Sequence, residues 1–367
     1  MKIERLRVRQ FRNIEEIELI PCDGVNVIYG SNAQGKTNLL ESIWLFSGFR
    51  SFRGAKDPEL IRFNEPFLRN ELDFYGFGRS QNAKLIIGQE SRRIILNGVP
   101  LKTQTGLVGN FCCVVFSPTY LSLVKGSPSE RRKFIDAAIC QVRAAHAGSL
   151  ISFHKTLDQR NAYLKQARQS RPDPNVLEVW DRQLAEDSAK IVKARIEYLR
   201  QLSKKSEEIH AGLSGDTEQL AMRYSMRTSV YGHDRIDDAP SADDIYILLQ
   251  KNLERDSFLG TTSIGAHKDD IEITINALQV RSYASQGQQR SAALALKLGE
   301  AAILGDQTGE KPVALLDDVM SELDADRQDY ILNHIRDWQV FITCCEPETV
   351  LRLCEGKSFR IEGGKII

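Results

Sequence analysis

Hydrophobic and polar residues alternate along the first thirty positions of the chain, a pattern typical of strands that bury one face. The alternation and the β-branched residues predict strands at Ile3–Val8, Ile14–Leu19 and Val25–Tyr29. A glycine-rich turn follows the third strand, and from Asn38 to Phe46 the apolar residues have helical spacing. The opening segment is therefore expected to end in a strand, a turn and a helix.

A second strand-rich segment runs from Glu71 to about Phe116. Within it, Ala83–Ile87 has the alternation of a strand. Arg93–Val99 predicts a hairpin, because Asn97-Gly98 is a residue pair that favours a tight two-residue turn.

The spacing of apolar residues changes near Ser127. Ser127, Pro128 and Glu130 are the residues expected at the cap, the first position and the third position of a helix. Apolar residues then recur at intervals of three and four as far as about residue 167, and again over residues 176–212. Two prolines in residues 171–175 predict the turn between these helices.

The remaining pattern suggests how the chain is divided. A polar stretch at 229–244 predicts a loop, and one more helix is expected at 245–254. After Gly260, strands alternate with helices again. The simplest organisation is an α/β domain formed by residues 1–119 and 257–367, with a mainly helical lobe inserted at 120–256.

Composition narrows the class of protein. Apolar residues make up 42% and charged residues 27% of the 367 residues, which is typical of a soluble globular chain. The longest apolar runs, such as Phe111–Phe116, are far shorter than a bilayer span, and the first residues lack the apolar core of a signal peptide. We therefore expect a cytoplasmic protein without a membrane partner. Since 49 basic residues balance 49 acidic ones, any contact with nucleic acid must come from a local patch.

Seven cysteines occur without any C-x-x-C spacing. They are Cys22, Cys112, Cys113, Cys140, Cys344, Cys345 and Cys354. The pattern favours buried, reduced thiols for all seven over zinc ligands or disulfides.

Gly30–Thr37, with the sequence GSNAQGKT, is a complete G-x4-G-K-[ST] phosphate loop. It follows a predicted strand and opens a predicted helix, so its backbone amides and the helix dipole would both face an anion. Lys36 is expected to reach the β- and γ-phosphates of ATP, and the Thr37 hydroxyl to bind Mg²⁺. The alternative, a glycine-rich turn with a solvated lysine, does not explain the strand and helix on either side.

A second acidic element follows at Val313–Asp318, where four apolar strand residues end in two carboxylates. Asp317 is expected to hold Mg²⁺ directly or through water, and Asp318 to polarise an attacking water. A buried strand that ends in an acidic surface is the alternative, and the phosphate loop upstream favours the functional interpretation.

Between these two elements lies a polar turn at Ser285–Arg290, SQGQQR, which leads into a helix rich in alanine and leucine. A hydroxyl, backbone amides and a helix N-terminus together would bind an anion. Taken alone, the turn is better explained as an ordinary helix cap.

The order of these motifs resembles that of the ABC ATPases. The segment Ser321–Asp324, SELD, matches the D-loop of that superfamily. Strings along nearly the whole chain are more specific, and they resemble the RecF family of bacterial DNA repair and recombination proteins, which is related to the heads of SMC-type ATPases. These strings are FRN at Phe11–Asn13, SNAQGKTN at Ser31–Asn38, GSPSERRKFID at Gly126–Asp136, GAHKDD at Gly265–Asp270, SQGQQR and LLDDVMSELD.

The resemblance implies a P-loop ABC-type head with an inserted helical lobe, closed by ATP into a head-to-tail homodimer on DNA. It also implies weak, DNA-stimulated ATPase activity in recombinational repair and replication-fork maintenance, and a RecR-type partner. The DNA could be single- or double-stranded, with gaps or junctions.

The resemblance also assigns residues. The implied ATP contacts are Arg12, Asn13, Gly30, Ser31, Asn32, Ala33, Gln34, Gly35, Lys36, Thr37 and Asn38. The implied signature, which acts across the dimer, is Ser285, Gln286, Gly287, Gln288 and Gln289, and the implied D-loop is Ser321, Glu322, Leu323 and Asp324. Thr37 and Asp317 would bind Mg²⁺, and Asp318 would replace the usual catalytic glutamate.

Two departures from the family pattern matter. Where ABC proteins carry a switch histidine after the next strand, this chain has Thr343-Cys344-Cys345. The missing histidine suggests weak hydrolysis, which fits a switch better than a motor. GAHKDD has Ala266 and Lys268 where proline and arginine are expected, a change that largely preserves charge.

Two further groups have competing interpretations. His267 with Asp269 and Asp270 could be read as a metal site, but one histidine in a polar loop favours a hydrogen-bonded structural residue. The basic residues of two segments could contact DNA phosphates or form solvated helix faces. They are Arg131, Arg132 and Lys133 in the first segment and Lys190, Lys193, Arg195, Arg200, Lys204 and Lys205 in the second.

Two other functional classes compete with a DNA clamp. A transporter's nucleotide-binding subunit would place its signature much closer to the phosphate loop than Ser285 is to Thr37. A P-loop kinase of small molecules would have no use for SQGQQR or the D-loop.

Overall fold

The computed structural model describes residues 1–167, 172–229, 232–347, 350 and 356–367. Within them the chain forms two compact units. The first unit combines Met1–Tyr120 with Lys297–Ile367, and the second is Leu121–Leu296. Two segments that are far apart in sequence therefore build the first unit.

Strands and helices occupy most of the described residues. The strands are β1 (Lys2–Phe11), β2 (Ile14–Leu19), β3 (Val25–Tyr29), β4 (Phe67–Gly76), β5 (Arg79–Gly88), β6 (Arg92–Leu96), β7 (Val99–Pro100), β8 (Cys113–Phe116), β9 (Leu220–Arg227), β10 (His233–Ile236), β11 (Asp270–Ile275), β12 (Leu278–Gln279), β13 (Val313–Asp317), β14 (Val340–Cys344), β15 (Gly356–Glu362) and β16 (Lys365–Ile366). The α-helices are α1 (Lys36–Trp44), α2 (Asp57–Leu60), α3 (Ser122–Lys125), α4 (Pro128–Val142), α5 (Ala145–Gln166), α6 (Pro174–Ser214), α7 (Ala242–Lys251), α8 (Leu253–Leu259), α9 (Val280–Tyr283), α10 (Gln286–Thr308) and α11 (Ala325–His334).

Two sheets form the first unit. An antiparallel sheet has the strand order β2-β1-β4-β5-β6-β7, and the other sheet has the order β16-β15-β3-β14-β13-β8. In the second sheet β15, β3, β14, β13 and β8 are mutually parallel, and the central strands are almost entirely buried. Such runs of apolar residues are expected in parallel strands that are covered on both faces. Because the strands are parallel, the carboxyl ends of β3, β13 and β14 lie at one edge of the sheet.

The first predicted elements are confirmed. The three opening strands correspond to β1, β2 and β3, and the helix α1 begins at Lys36, two residues before the predicted Asn38. The predicted hairpin joins β6 to β7, with Asn97 at φ 51° and Gly98 at φ 80°. Both residues thus have the left-handed conformation that a type I′ turn requires.

The second unit contains the predicted helices. Its α4 begins with the expected capping box, in which Ser127 N donates to Glu130 Oε2 at 2.7 Å. The 41-residue helix α6 packs against α4, α5, α7 and β9. Of the predicted turn at 171–175, residue 171 lies outside the described residues, and Asp173 caps α6.

The second unit differs from the predicted lobe in two ways. It contains a four-stranded sheet with the order β10-β9-β11-β12, although β9 was not predicted and the predicted loop at 229–244 includes β10. It also ends at Leu296 and not at residue 256. Strand β11 pairs with β9 from Asp270–Ser225 to Ile275–Leu220, which brings residues beyond 256 into the second unit. Pairing between such distant segments leaves no local pattern in the sequence.

A buried network of charges joins three helices of this unit. The Arg160 side chain is fully buried, and its Nε donates to Asp181 Oδ1 at 2.5 Å. Its Nη1 donates to Asp256 Oδ2 and to Thr262 Oγ1, each at 2.8 Å. Burial raises the pKa of Asp256, although its bonds to Ser263 and Arg160 act in the opposite direction. The guanidinium thus links α5 to α6 and α8.

Replacing Arg160 by alanine should destabilise the protein by about 3–5 kcal/mol, because two buried carboxylates would lose their common partner. Urea unfolding of Arg160→Ala measures the effect. Arg182→Ala, which removes an exposed pair with Glu178 and a contact with the Tyr246 ring, is the control and should cost about 1 kcal/mol or less. If both variants lose the same free energy of unfolding, the buried network contributes no more to stability than an exposed ion pair does.

Candidate functional site

The phosphate loop, Gly30–Thr37, leaves the end of β3 and leads into α1. Gly35 has φ 111°, and a Cβ there would lie 2.8 Å from Asn13 Oδ1, so any other residue would be strained at this position. The loop curls around the Lys36 side chain, whose Nζ donates to Gly30 O at 2.7 Å and Ser31 O at 3.2 Å. Lys36 is buried, so its charge is held inside the loop.

A pocket of about 410 Å³ lies against this loop. Its lining residues are Arg12, Asn13, Asn32, Ala33, Gln34, Gly35, Lys36, Thr37, Asn38, Arg53 and Asp318. Gly30 and Ser31 instead line a second pocket of about 490 Å³, which shares Gln34 and includes Cys345. The structure therefore brings the residues implied as ATP contacts together around two adjoining spaces.

Asp317 stands at the carboxyl end of β13, next to the start of α1. Thr37 Oγ1 donates to Asp317 Oδ1 at 2.7 Å, although the two residues are 280 positions apart. Burial raises the pKa of Asp317, while hydrogen bonds from Thr37 and Thr343 counteract the increase. A hydroxyl and a carboxylate in direct contact offer the hard oxygen ligands that Mg²⁺ prefers. These residues fit the ion that the sequence implied.

Asp318, the residue implied to act on water, has a left-handed backbone with φ 52°. This conformation is uncommon for residues other than glycine. The Asp318 backbone N–H donates to Thr343 Oγ1 at 2.9 Å, and the same hydroxyl donates to Asp317 Oδ1 at 3.0 Å. The fully buried Thr343 hydroxyl therefore contacts both acidic residues. In the sequence, Thr343 is distinguished only by the absence of a histidine nearby.

Cys345 occupies the region where the histidine was expected. Its Sγ lies 3.7 Å from Lys36 Nζ and 3.3 Å from Asn32 Oδ1. The prediction that every cysteine is buried is wrong for Cys345, which is exposed because it follows the last residue of β14. Cys22 and Cys344 are half-buried, and Cys354 lies outside the described residues.

Arg12 and Asn13 lie on the turn between β1 and β2. Arg12 makes a bidentate ion pair with the fully buried Glu41 of α1, at 2.6 Å and 3.0 Å. Asn38 Nδ2 donates to Asn13 Oδ1 at 2.8 Å, and Arg53 Nη1 donates to Asn38 Oδ1 at 3.0 Å. Glu41 and Arg53 belong to no sequence motif, so no pattern in the chain points to them.

The signature turn, Ser285–Gln289, lies in the second unit and begins α10. Ser285 N donates to Gln288 Oε1 at 2.7 Å, and Gln288 N donates to Ser285 Oγ at 3.2 Å. This reciprocal pair is a capping box. Gln286 and Gly287 form the first turn, and Gln289 Nε2 donates to Ala284 O at 3.1 Å. Within one chain, the turn therefore forms the N-terminal cap of α10.

The D-loop residues follow β13 directly. Ser321 Oγ donates to Asp318 O at 2.8 Å, and Glu322 ends a short 3₁₀ turn. Leu323 is buried, and Asp324 caps α11 by accepting from Arg327 N at 3.0 Å. These contacts connect the segment to the acidic end of the strand.

His267 is a half-buried residue of the second unit. Burial lowers its pKa to about 3, so the ring is neutral, and Nε2 lies 3.1 Å from Thr262 O. Asp269 accepts from the Tyr224 hydroxyl at 2.7 Å, and Asp270 pairs with Arg131 at 2.8 Å. Across the described residues, no group of three or more His, Cys, Asp or Glu side chains is arranged to hold a metal ion.

The structure separates the basic candidates for DNA contact into two groups. Arg131 is buried against Asp270, Arg195 is buried and bidentate on Asp136 at 2.8 Å, and Arg132 donates to Asp269 O. Phosphate contact is the wrong interpretation for Arg131 and Arg195, because internal carboxylates already hold them. The exposed candidates are Lys133, Lys190, Lys193, Arg200 and Lys204, and Lys205 is half-buried.

The parallel sheet, the phosphate loop and the acidic strand end together define a P-loop ATPase fold. A family model described as AAA domain matches residues 2–221. Two curated relatives named DNA replication and repair protein RecF cover the whole chain. The protein of Acetivibrio thermocellus is 37% identical, with 99% of its length matched, and that of Staphylococcus carnosus is 36% identical, with 100% matched. The chain belongs to the RecF family.

Solved structures agree with this assignment. One is described as the recombination mediator protein RecF-ATP in the RecFOR pathway. It is 36% identical and has a TM-score of 0.91, with 100% of this chain and 97% of that chain covered. The Smc head domain of Pyrococcus furiosus has a TM-score of 0.56 at 15% identity over 100% of this chain and 96% of that chain, which shows a shared fold. The transporter alternative is not favoured by these relatives. No helix among the described residues has the length and apolar character needed to cross a membrane.

Removing the Thr343 hydroxyl should disturb both acidic residues at once. Thr343→Val keeps the shape but leaves the Asp318 N–H unpaired, so stability should fall by about 1–3 kcal/mol. Asp317 also loses a donor, and ATP hydrolysis should therefore need more Mg²⁺ for half-maximal rate. Thr343→Ser retains a hydroxyl and should behave like the parent in denaturant unfolding and in Mg²⁺ titration. If valine and serine behave alike, the hydroxyl has no such role.

Proposed function

We propose that this protein is an ATP-dependent DNA-binding protein of replication and recombinational repair, in which ATP closes a head-to-tail homodimer on DNA and slow hydrolysis reopens it. The observation that carries the proposal is the convergence of Lys36, Thr37 and Asp317 at one edge of the parallel sheet. Relatives described as bound to ATP or as DNA replication and repair proteins support it.

ATP binding follows from the pocket at the phosphate loop. Its backbone amides and the N-terminus of α1 favour the phosphates, and Lys36 compensates their charge. Thr37 and Asp317 would hold Mg²⁺, which neutralises charge on the phosphate oxygens when bound. Arg12 and Asn13 lie at the pocket wall and would contact the nucleotide.

Hydrolysis depends on Asp318 in this proposal. Asp318 lines the pocket, where its carboxylate would orient a water against the γ-phosphate. The segment after β14 supplies a thiol, Cys345, in place of the imidazole of a switch histidine. We therefore expect weak ATPase activity that DNA stimulates.

Closure of the dimer would use the signature turn of the opposite subunit. Ser285 Oγ accepts a hydrogen bond from Gln288 N, and its O–H can donate to a phosphate of the partner's ATP. The capping box and the dipole of α10 favour an anion at the same place. Neither subunit alone would then have a complete site.

Contact with DNA would come from exposed basic residues of the second unit. Lys190, Lys193, Arg200 and Lys204 are exposed and recur along α6 at spacings that place them on one side of the helix. Phosphate contacts of this kind bind single- or double-stranded DNA, gaps and junctions without reading base sequence. A RecR-type partner is supported by the relatives described within the RecFOR pathway.

The clamp requires DNA affinity that depends on both ATP and salt. With ATP the parent should bind DNA more tightly than with ADP, because closure joins two weak basic faces. Affinity should fall steeply as salt rises. Lys36→Met should lose the ATP effect, while Lys102→Met, a change at an exposed lysine, should keep it. Gel shifts with duplex, single-stranded and gapped DNA measure this, and binding indifferent to salt and nucleotide would refute the clamp.

The trans arrangement predicts a separation of binding from closure. Ser285→Arg should leave ATP binding by the monomer intact but block ATP-dependent dimerisation, measured by light scattering. A mixture with Lys36→Met forms one site with both elements wild-type, and partial recovery of ATPase activity is expected if one site suffices. The single variant is decisive: if Ser285→Arg dimerises with ATP like the parent, the signature turn is only a helix cap.

A further inference from the structure

The signature turn is connected to a carboxylate that no motif includes. Gln288 Nε2 donates to Glu218 Oε1 at 2.8 Å, while Gln288 Oε1 accepts from Ser285 N at 2.7 Å. One amide side chain therefore bridges Glu218 and the backbone of Ser285. All three residues belong to the second unit.

The chemistry of Glu218 determines which way this amide points. An ionised carboxylate only accepts hydrogen bonds, so it attracts the NH₂ group of Gln288. The amide oxygen must then face the Ser285 N–H, which is the orientation that the capping box needs. A side chain without an acceptor at position 218 would leave only the Ser285 N–H to hold the amide in this orientation.

Glu218 is itself held from the other side. The His210 ring Nε2 lies 2.9 Å from Glu218 Oε2, and His210 is fully buried near the end of α6. Glu218 lies just before β9, and its side chain is only about one-fifth exposed, at 19%. The carboxylate is thus fixed between α6 and the signature turn.

We propose that Glu218 is a positioning residue for the signature turn. It sets the orientation of Gln288 and thereby the place of the Ser285 hydroxyl, which the partner's nucleotide meets on closure. The inference rests on the proposed function, since it assumes that Ser285 acts across the dimer. According to this inference, Glu218 affects closure of the dimer and does not affect nucleotide binding by the monomer.

Three variants at one position test the proposal. Glu218→Leu removes the acceptor and should weaken ATP-dependent dimerisation by roughly tenfold or more, as loss of a hydrogen bond to a charged group does. Glu218→Gln keeps an acceptor oxygen and should restore most of the dimerisation. ATP binding by the monomer should stay within about twofold of the parent in both, since the cap lies outside the phosphate loop. Glu218→Asp, with a shorter side chain, serves if the leucine variant does not fold, and should weaken dimerisation less.

Glu207→Leu is the matched control. Glu207 accepts from Gln219 Nε2 at 3.0 Å, so the change removes a similar bond close by without touching Gln288. It should dimerise like the parent. If Glu218 contributes only to stability, Glu218→Leu should lower the melting temperature and should weaken dimerisation and ATP binding to the same extent.

The outcomes distinguish this inference from the proposed function. If Ser285→Arg fails to dimerise but folded Glu218→Leu and Glu218→Asp dimerise like the parent, the role of Glu218 is refuted and the trans site stands. If Ser285→Arg also dimerises, the trans site itself is wrong. Loss of dimerisation in Glu218→Leu with rescue in Glu218→Gln supports the inference.

Discussion

The parallel pairing of β14 between β3 and β13 is the constraint on which the first unit depends. The pairing register sets Leu316 beside Ile342 and Ile342 beside Val27, so the strands end together. The phosphate loop and the acidic pair leave from these ends, and Thr37 consequently meets Asp317 across 280 positions of sequence. A shift of one residue in this register would turn the strand side chains to the other face and separate the two groups.

Charged groups are stabilised differently at the phosphate-loop site of the first unit and in the interior of the second unit. At the phosphate loop a buried lysine is surrounded by carbonyl oxygens, and Asp318 has a backbone conformation that its own preferences disfavour. The hydroxyl of Thr343 supplies the compensating bond. In the second unit, the buried guanidinium of Arg160 is paired with two buried carboxylates, Asp181 and Asp256. The first arrangement keeps polar groups available to a ligand, whereas the second makes a rigid support.

Local patterns revealed much of the fold and the central motifs of the site. The phosphate loop and the acidic strand end could be found because their function requires fixed residues at fixed spacing. Thr343, Glu41 and Arg53 could not be found in this way, since each acts through a tertiary contact between different elements and belongs to no motif of fixed spacing. The same reason explains β9, whose partner β11 lies beyond an intervening polar stretch and two helices. The burial of Arg131 and Arg195 could not be predicted from the sequence either. A run of basic residues has the same pattern whether its side chains are solvated or paired with internal carboxylates.

The division of the first unit between two chain segments has a consequence for biosynthesis. Among the described residues, strand β3 pairs with β14 and β15, and β8 pairs with β13. None of these partners exists until more than 300 residues have left the ribosome, so the nascent chain carries two apolar strands with open edges throughout most of its synthesis. The second unit is complete at Leu296 and can fold earlier. Chaperone demand should therefore be concentrated on the amino-terminal segment during translation.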